Sequence, residues 1–341
     1  MSRKYAGRNI RDLDVDDFNF GRPKKRSRPR TKVRPDYSDA EIGRVITIDR
    51  GRYQCVMEST GNLVIAAKAR QLGRKGVIVG DKARVVGDTS GKVGTLARIV
   101  EIVPRQTVLR RTADDDSPLE RPIVANADQL LIVTALADPP PREGMIDRIL
   151  VSAYDAGMKP ILCLTKADLA SPQHLIDTYA PLDLTIFVVG PDVEIDELLE
   201  ALAGHVTVFI GHSGVGKSTL INRIVPNANR QTGSVNENTG RGRHTSTSAQ
   251  ALRLPDSEGW VIDTPGVRSF GLSHVTPESV LAAFSGLAEY LDLCPRGCTH
   301  ETGESECGLD KALQDEAIDE NRLVSLRRIL EALQANDVPG S

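Results

Sequence analysis

Three consecutive folded units are predicted for this chain of 341 residues: a small β-barrel, an α/β unit on a mostly parallel sheet, and a short helical C-terminal unit. Five short β-prone pieces without a helix-length run between them predict the barrel. Near-continuous apolar strands alternating with helical patterns predict the sheet. Three cysteines and a histidine crowded ahead of a leucine-striped helix predict the last unit.

The barrel pieces are GRVITID (43–49), RYQCVM (52–57), NLVIAAKA (62–69), KARVVGD (82–88) and TLARIVEIV (95–103), separated by glycines and polar turns. This spacing fits a closed or nearly closed barrel of OB-like or SH3-like type. In the next unit QLLIVT (129–134), PILCLT (160–165), LTIFVV (184–189), VTVFI (206–210) and GWVID (259–263) read as buried strands. GMIDRILVSAYDAG (144–157) and IDELLEALAG (195–204) read as helices between them. Strands apolar on both faces belong in a parallel sheet covered on each side. In the tail, Leu323, Leu326, Leu330 and Leu333 share one helical stripe. So short a unit must lean on a metal or on its neighbour.

Ahead of the barrel, Gly21 to Pro35 carries eight Arg or Lys, no acid and only Val33 as a hydrophobe, although the whole chain has a net charge of -3. Such a stretch cannot build a core. It reads either as a solubilising disordered leader or as an arm along a phosphate backbone. No run of 18 apolar residues exists and the N-terminus lacks an apolar segment behind its basic start. A membrane span and a secretory signal are therefore not expected, and the cytoplasm is the expected location.

Gly211-His212-Ser213-Gly214-Val215-Gly216-Lys217-Ser218, continued by Thr219, matches the phosphate-loop pattern GxxxxGK[ST] between a strand and a helix. Its glycines let successive backbone N–H groups face a phosphate. Lys217 supplies charge to the β/γ oxygens, and the Ser218 hydroxyl is placed for magnesium. Asp263-Thr264-Pro265-Gly266 closes the strand GWVID; the Asp263 carboxylate reaches the magnesium shell, and the Gly266 N–H can bond a γ-phosphate. Thr165-Lys166-Ala167-Asp168 closes PILCLT. One carboxylate can accept both the N1–H and the 2-amino group of guanine, so Asp168 selects guanine over adenine while the Lys166 stem covers the ring. Between phosphate loop and DTPG, the polar segment 231–250 offers Thr245 or Thr247 as a magnesium-binding switch threonine, with His244 nearby. Val267 follows DTPG and cannot order a water, so slow intrinsic turnover is expected unless His244, Arg243 or a partner assists.

The base motif thus precedes the phosphate loop, which precedes DTPG. In an ordinary small GTPase the base motif comes last. Cutting the same sheet at one surface loop and rejoining it elsewhere accounts for the order, so a circularly permuted core is predicted.

Together these residues resemble the RsgA (YjeQ/EngC) family of circularly permuted GTPases. The resemblance runs from about Gly43 to Leu333 through VGDKARV (79–85), VPRQTVLRR (103–111), LTKADL (164–169), GHSGVGKSTLIN (211–222), GRHTSTSA (242–249), DTPGVRSFGL (263–272) and AIDENRLVSLRRIL. It implies an OB-fold, a permuted GTPase domain hydrolysing GTP to GDP with Mg²⁺, and a C-terminal domain with one structural zinc. It also implies late maturation of the small (30S) ribosomal subunit, binding to its 16S rRNA, and hydrolysis stimulated by that subunit. The expected division is a leader at 1–37, OB-fold at 38–112, GTPase at 113–285 and zinc-binding helical domain at 286–341, with a monomer as the simplest state. Cys294, Cys298, His300 and Cys307 are the zinc candidates, spaced x3, x1 and x6 where the family usually has x4, x1 and x5. Thr165 stands where the family usually has Asn, and Val189-Gly190 stands where a Ser-Ala pair is expected. A nucleotide-gated RNA-binding scaffold with marginal hydrolysis is the alternative. A metabolic nucleotide kinase is disfavoured, since no second-substrate site is evident.

Overall fold

The computed structural model describes residues 36–73, 76–112, 120–228, 249–255, 257–265, 275–281, 284, 287–304 and 306–334. Five strands form the barrel: β1 (Glu41–Asp49), β2 (Arg52–Met57), β3 (Leu63–Lys68), β4 (Lys82–Val86) and β5 (Ala97–Ile102). They follow the order β1-β2-β3-β5-β4, β4 returns to β1, and β3 runs parallel to β5. This closed five-stranded arrangement is an OB-type barrel, which decides between the two barrel types the strand spacing allowed. Alternation along β2, β3 and β4, with a bulge in the β4–β5 pairing, lets Val45, Tyr53, Cys55, Met57, Val64, Ala83, Val85 and Ile99 fill one interior.

A hairpin not foreseen from the sequence joins the barrel to the next unit: β6 (Val108–Thr112) and β7 (Glu120–Ala125). Gly80, at φ +88°, lies so close to it that a Cβ would stand 2.0 Å from the Ala125 carbonyl oxygen. Beside it Asp81 is fully buried and accepts hydrogen bonds from Arg105 Nε (2.7 Å), Arg105 Nη2 (2.9 Å) and the Ile78 N–H (2.8 Å). The sequence pieces VGDKARV and VPRQ thus meet in one ion pair that locks the barrel to its linker.

The central sheet runs β10 (Thr185–Val188), β9 (Lys159–Thr165), β8 (Gln129–Ala135), β11 (Val206–Gly211), β13 (Trp260–Asp263), β12 (Gln250–Arg253). All neighbours are parallel except β12, which pairs antiparallel with β13. β12 also meets β1 of the barrel at Thr47↔Gln250, making one continuous eleven-stranded sheet. On one face α3 (Asp196–Leu202) and α4 (Lys217–Ile224) cover Leu131, Val133, Ile161 and Phe209. The other face, with Leu130, Ile132, Leu162 and Val208, is covered by α1 (Glu143–Asp155) and α2 (Gln173–Tyr179).

The C-terminal helices are α5 (Pro277–Leu281), α6 (Ala288–Leu291), α7 (Gly308–Gln314) and α8 (Glu320–Gln334). Leu323, Leu326, Leu330 and Leu333 are all buried, in the same cluster as Ile146, Ile149 and Leu150 of α1. At about 1.5–3 kcal/mol per buried leucine, this stripe supplies the apolar support that the tail lacks by itself. Two arginines fasten the helix: Arg322 pairs with Asp183 at 2.6 Å, and Arg328 meets Asp147 at 3.3 Å while lying 4.8 Å from the Tyr179 ring centre.

Candidate active site

The carboxyl ends of β8, β9, β11 and β13 bring the sequence motifs to one rim. Gly211 ends β11, and a Cβ there would lie 2.5 Å from the Val133 carbonyl oxygen of β8. Gly214 (φ +84°) and Gly216 (φ +88°) turn the loop through the left-handed region that favours glycine. Val215 is buried against the α3–α4 core, while Thr219 faces outward on the first turn of α4. His212 Nδ1 lies 3.0 Å from the Ser213 carbonyl oxygen.

Lys217 begins α4 and donates to Asp263 Oδ1 and to the Thr264 carbonyl. The Thr264 hydroxyl in turn donates to the Phe209 carbonyl at 2.8 Å, tying the end of β13 to β11. The phosphate-loop lysine and the DTPG aspartate are therefore neighbours, and both are largely buried. Ser218 and Asp263 offer hard oxygen donors of the kind magnesium takes.

Thr165 sits beneath this loop. Its hydroxyl lies 2.5 Å from the Val215 carbonyl oxygen and 3.2 Å from that of Thr134. The departure from Asn therefore still joins the base motif to the phosphate loop, with one donor proton facing two acceptors. Lys166, at φ +57°, donates to the Asp138 carbonyl. Val189-Gly190 lies alongside: Val189 N–H donates to Leu164 (2.7 Å), its carbonyl accepts from the Ala167 N–H (3.2 Å), and a Cβ on Gly190 would be 3.8 Å from the Asp168 nitrogen. Gly266, His244, Thr245 and Thr247, together with Arg243, Val267 and residues 1–35 of the leader, lie outside the described residues.

Far along the chain, Cys294, Cys298, His300 and Cys307 put one ligand atom each within 4.8 Å of one another. His300 Nδ1 lies 3.6, 3.5 and 3.7 Å from the three Sγ atoms of Cys294, Cys298 and Cys307. Zinc–sulfur bonds of about 2.3 Å and a zinc–nitrogen bond of about 2.0 Å at tetrahedral angles require a separation of about 3.6 Å, so the set fits zinc. The backbone between the ligands turns through the left-handed region at His300 (φ +62°) and Glu306 (φ +62°). Outside the ligands, the Gly308 N–H donates to Cys294 Sγ at 3.1 Å, and Arg327 Nε donates to the His300 carbonyl at 2.9 Å. Arg327 also pairs with Asp310 at 2.9 Å. Asp81, Arg105 and Arg327 fall within the pieces that carry the resemblance, but nothing in the sequence pairs Asp81 with Arg105 or sets Arg327 behind His300.

The family model described as RsgA GTPase matches residues 102–273. The chain is 39% identical over 248 residues to a protein of Ectopseudomonas mendocina named small ribosomal subunit biogenesis GTPase RsgA, covering 70% of this chain and 71% of that one. A protein of Alcanivorax borkumensis with the same name is 38% identical over 266 residues, covering 75% and 73%. Among solved structures, YjeQ from Thermotoga maritima superposes with a TM-score of 0.62 at 25% identity, covering 86% of this chain and 98% of that one. YloQ, described as a circularly permuted GTPase, gives 0.63 at 22% identity, covering 89% and 98%. With the permuted motif order, the barrel and the Cys₃His cluster all present, the chain belongs to the RsgA GTPase family.

Proposed function

We propose that this protein hydrolyses GTP as a switch in maturation of the small ribosomal subunit, joining the particle with GTP and leaving after hydrolysis. The observation that carries the reading is the Lys217–Asp263 contact beside a base motif strapped to the phosphate loop through Thr165. In this reading the loop Gly211–Ser218 holds the phosphates, Asp168 selects guanine, and Ser218 and Asp263 hold magnesium. Bound magnesium offsets charge on the phosphate oxygens. Water attacks the γ-phosphorus, the bond to the bridging oxygen breaks, and GDP and phosphate leave. Gly266, Thr245 or Thr247, and His244 remain the proposed γ-phosphate, magnesium and water-ordering partners.

Contact with 16S rRNA is assigned to the barrel and the basic leader. Tyr53 is the barrel's one aromatic residue and is turned into the core, so stacking platforms are not part of the reading. A groove of roughly 470 Å³ on the barrel's outer face, lined by Arg52, Gln54, Ile65 and Leu96 among others, lies where OB-folds meet nucleic acid. The expected boundaries (1–37, 38–112, 113–285 and 286–341) stand as the proposed division. The protein is placed in the cytoplasm as a monomer. Among the described residues no helix is long and apolar enough to cross a membrane.

The test is GTP hydrolysis by purified protein alone and with small subunits, large subunits or bare rRNA. Stimulation by small subunits, abolished in Lys217→Ala, is expected. A flat response to every particle overturns the assembly reading.

A further inference from the structure

Within α4 the helix that opens with Lys217 and Ser218 carries Arg223 in its last turn. The Arg223 guanidinium is spent on one loop: Nη1 donates to the Gly190 carbonyl at 2.9 Å and Nη2 to the Val193 carbonyl at 2.5 Å. That loop, Gly190 to Val193, follows β10 and stands against the base motif. A Cβ on Gly190 would be 3.7 Å from the Ala167 Cβ and 3.3 Å from a Val193 methyl. Pro191, Asp192 and Val193 are exposed, so little apolar burial holds the loop where it is. The planar fork of an arginine binds two carbonyls at a fixed spacing, whereas a lysine ammonium is a compact charge on a flexible stem and sets no such spacing.

We propose that Arg223 is a positioning residue for guanine recognition: from the phosphate-loop helix it locks the Gly190–Val193 loop against Ala167–Asp168 so that the backbone there meets the base. The inference rests on the guanine-binding reading above and adds to it a determinant in the loop that stands beside Asp168. No Ser-Ala pair is present to shape this loop, and Val189-Gly190 brings no polar side chain to the base. Recognition of the guanine 6-oxygen, an acceptor where adenine carries a donor, then falls to backbone N–H groups. Those groups discriminate only if the loop is held still. One eight-residue helix therefore supports both ends of the nucleotide, its first turn at the phosphates and its last turn at the base-side loop.

The experiment compares affinities for GDP, inosine diphosphate and 2-aminopurine riboside diphosphate, which lacks the 6-oxygen and with it the N1 proton, in wild type, Arg223→Ala and Arg223→Lys; the mutational change in each affinity, not the wild-type ratio, isolates the loop. Arg223→Ala is expected to lose about tenfold for GDP and for inosine diphosphate, the upper size of one neutral hydrogen bond from a backbone N–H to the 6-oxygen. Its affinity for the 2-aminopurine compound should stay at the wild-type value, so the advantage of GDP over that compound narrows about tenfold while the preference for the 2-amino group is kept. Arg223→Lys should fall between. An equal loss for all three compounds makes Arg223 a general structural support and overturns the proposal, as does unchanged GDP binding. If Arg223→Ala does not fold, the same ratios in Arg223→Lys decide. Wild-type protein that binds GDP no better than the 2-aminopurine compound refutes the guanine reading itself, a result separate from any effect of Arg223.

Discussion

Thr165→Val removes one hydroxyl from beneath the phosphate loop and keeps the branched shape of the side chain. The hydroxyl sits 2.5 Å from the Val215 carbonyl oxygen, within the ordinary range of an O–H···O bond, and 3.2 Å from that of Thr134. Its single proton therefore serves Val215 first. Thr165 and Val215 are both buried, so water does not replace the lost donor. Stranding a buried acceptor costs about 1–3 kcal/mol. If the whole cost fell on binding, the nucleotide Kd would rise roughly 5- to 150-fold. Part of it falls on the fold, because the same bond joins β9 to the phosphate loop in the free protein. The assay is fluorescent GDP titration beside thermal unfolding of the same samples. Thr165→Val should weaken GDP, lower Tm, and leave the preference for guanine over adenine intact, since Asp168 is untouched. Thr165→Asn brings two amide protons to the two carbonyls and should bind at least as well as wild type. Wild-type Kd and Tm in Thr165→Val together would refute the strut.

Two further outcomes test other parts of the structure. Cys55 and Cys163 are both buried in apolar cores, and burial pushes each thiol up to about 12. Because chelation opens the cluster while Cys55 and Cys163 stay inside their cores, a disulfide reagent at pH 8 should reach no thiol in zinc-loaded protein, three after chelation and all five after denaturation; chelation that exposes none would argue against zinc in the cluster. Burial also raises the Asp147 carboxyl above its usual range, while Arg328 and the Tyr179 hydroxyl pull it back. A raised carboxyl gives the native state the extra proton, so this group favours folding at lower pH. Arg328→Ala strands the charge and should cost roughly 2 kcal/mol near pH 7, less than a fully buried pair because Arg328 is partly exposed. Measured by urea unfolding against wild type, the deficit should shrink as pH falls through the raised Asp147 value; a deficit that is flat with pH would show that packing alone was lost.

What the sequence reveals depends on how local each cause is. β2 is legible because one face is buried and the alternation is strict: in Arg52–Met57, Tyr53, Cys55 and Met57 point inward. The helix expected at 144–157 is found at Glu143–Asp155, its stripe set by Ile146, Ile149, Leu150 and Ala153. The phosphate loop and the Cys₃His cluster are legible because their spacing is their chemistry. The hairpin β6–β7 is not, since VLRRT and ERPIVA become strands only by pairing with each other and pressing against Gly80. β12 has four residues, QALR, and owes its form to the strands on either side. Thr165 is visible as a departure from Asn, but its acceptors lie 31 and 50 residues away. Arg223 carries no signal, because an arginine in the last turn of a helix ordinarily faces water.

β12 also gives the permuted order a mechanical meaning. Gln250 is paired with Asp263 on one side and with Thr47 of the barrel on the other. Adjacent strands stand about 4.8 Å apart, so two ladder steps, about 10 Å, separate the proposed magnesium carboxylate from the OB-fold. A ladder cannot slip by one residue without turning its side chains to the wrong face, so strain at the end of β13 is passed on rather than absorbed. Arg44 of β1, lying 5.9 Å from the centre of the Trp260 ring on β13, reinforces the same seam. On the other side of the core, α5 packs against α1 and α8, and Tyr154 meets Phe284 with ring centres 5.2 Å apart. In chain order β12 follows the segment that carries the switch threonine candidates, and α5 follows DTPG. With DTPG now last of the motifs in the chain, the segment after it leads into the C-terminal helices beside the zinc cluster, while β12 ties the strand before it to the barrel.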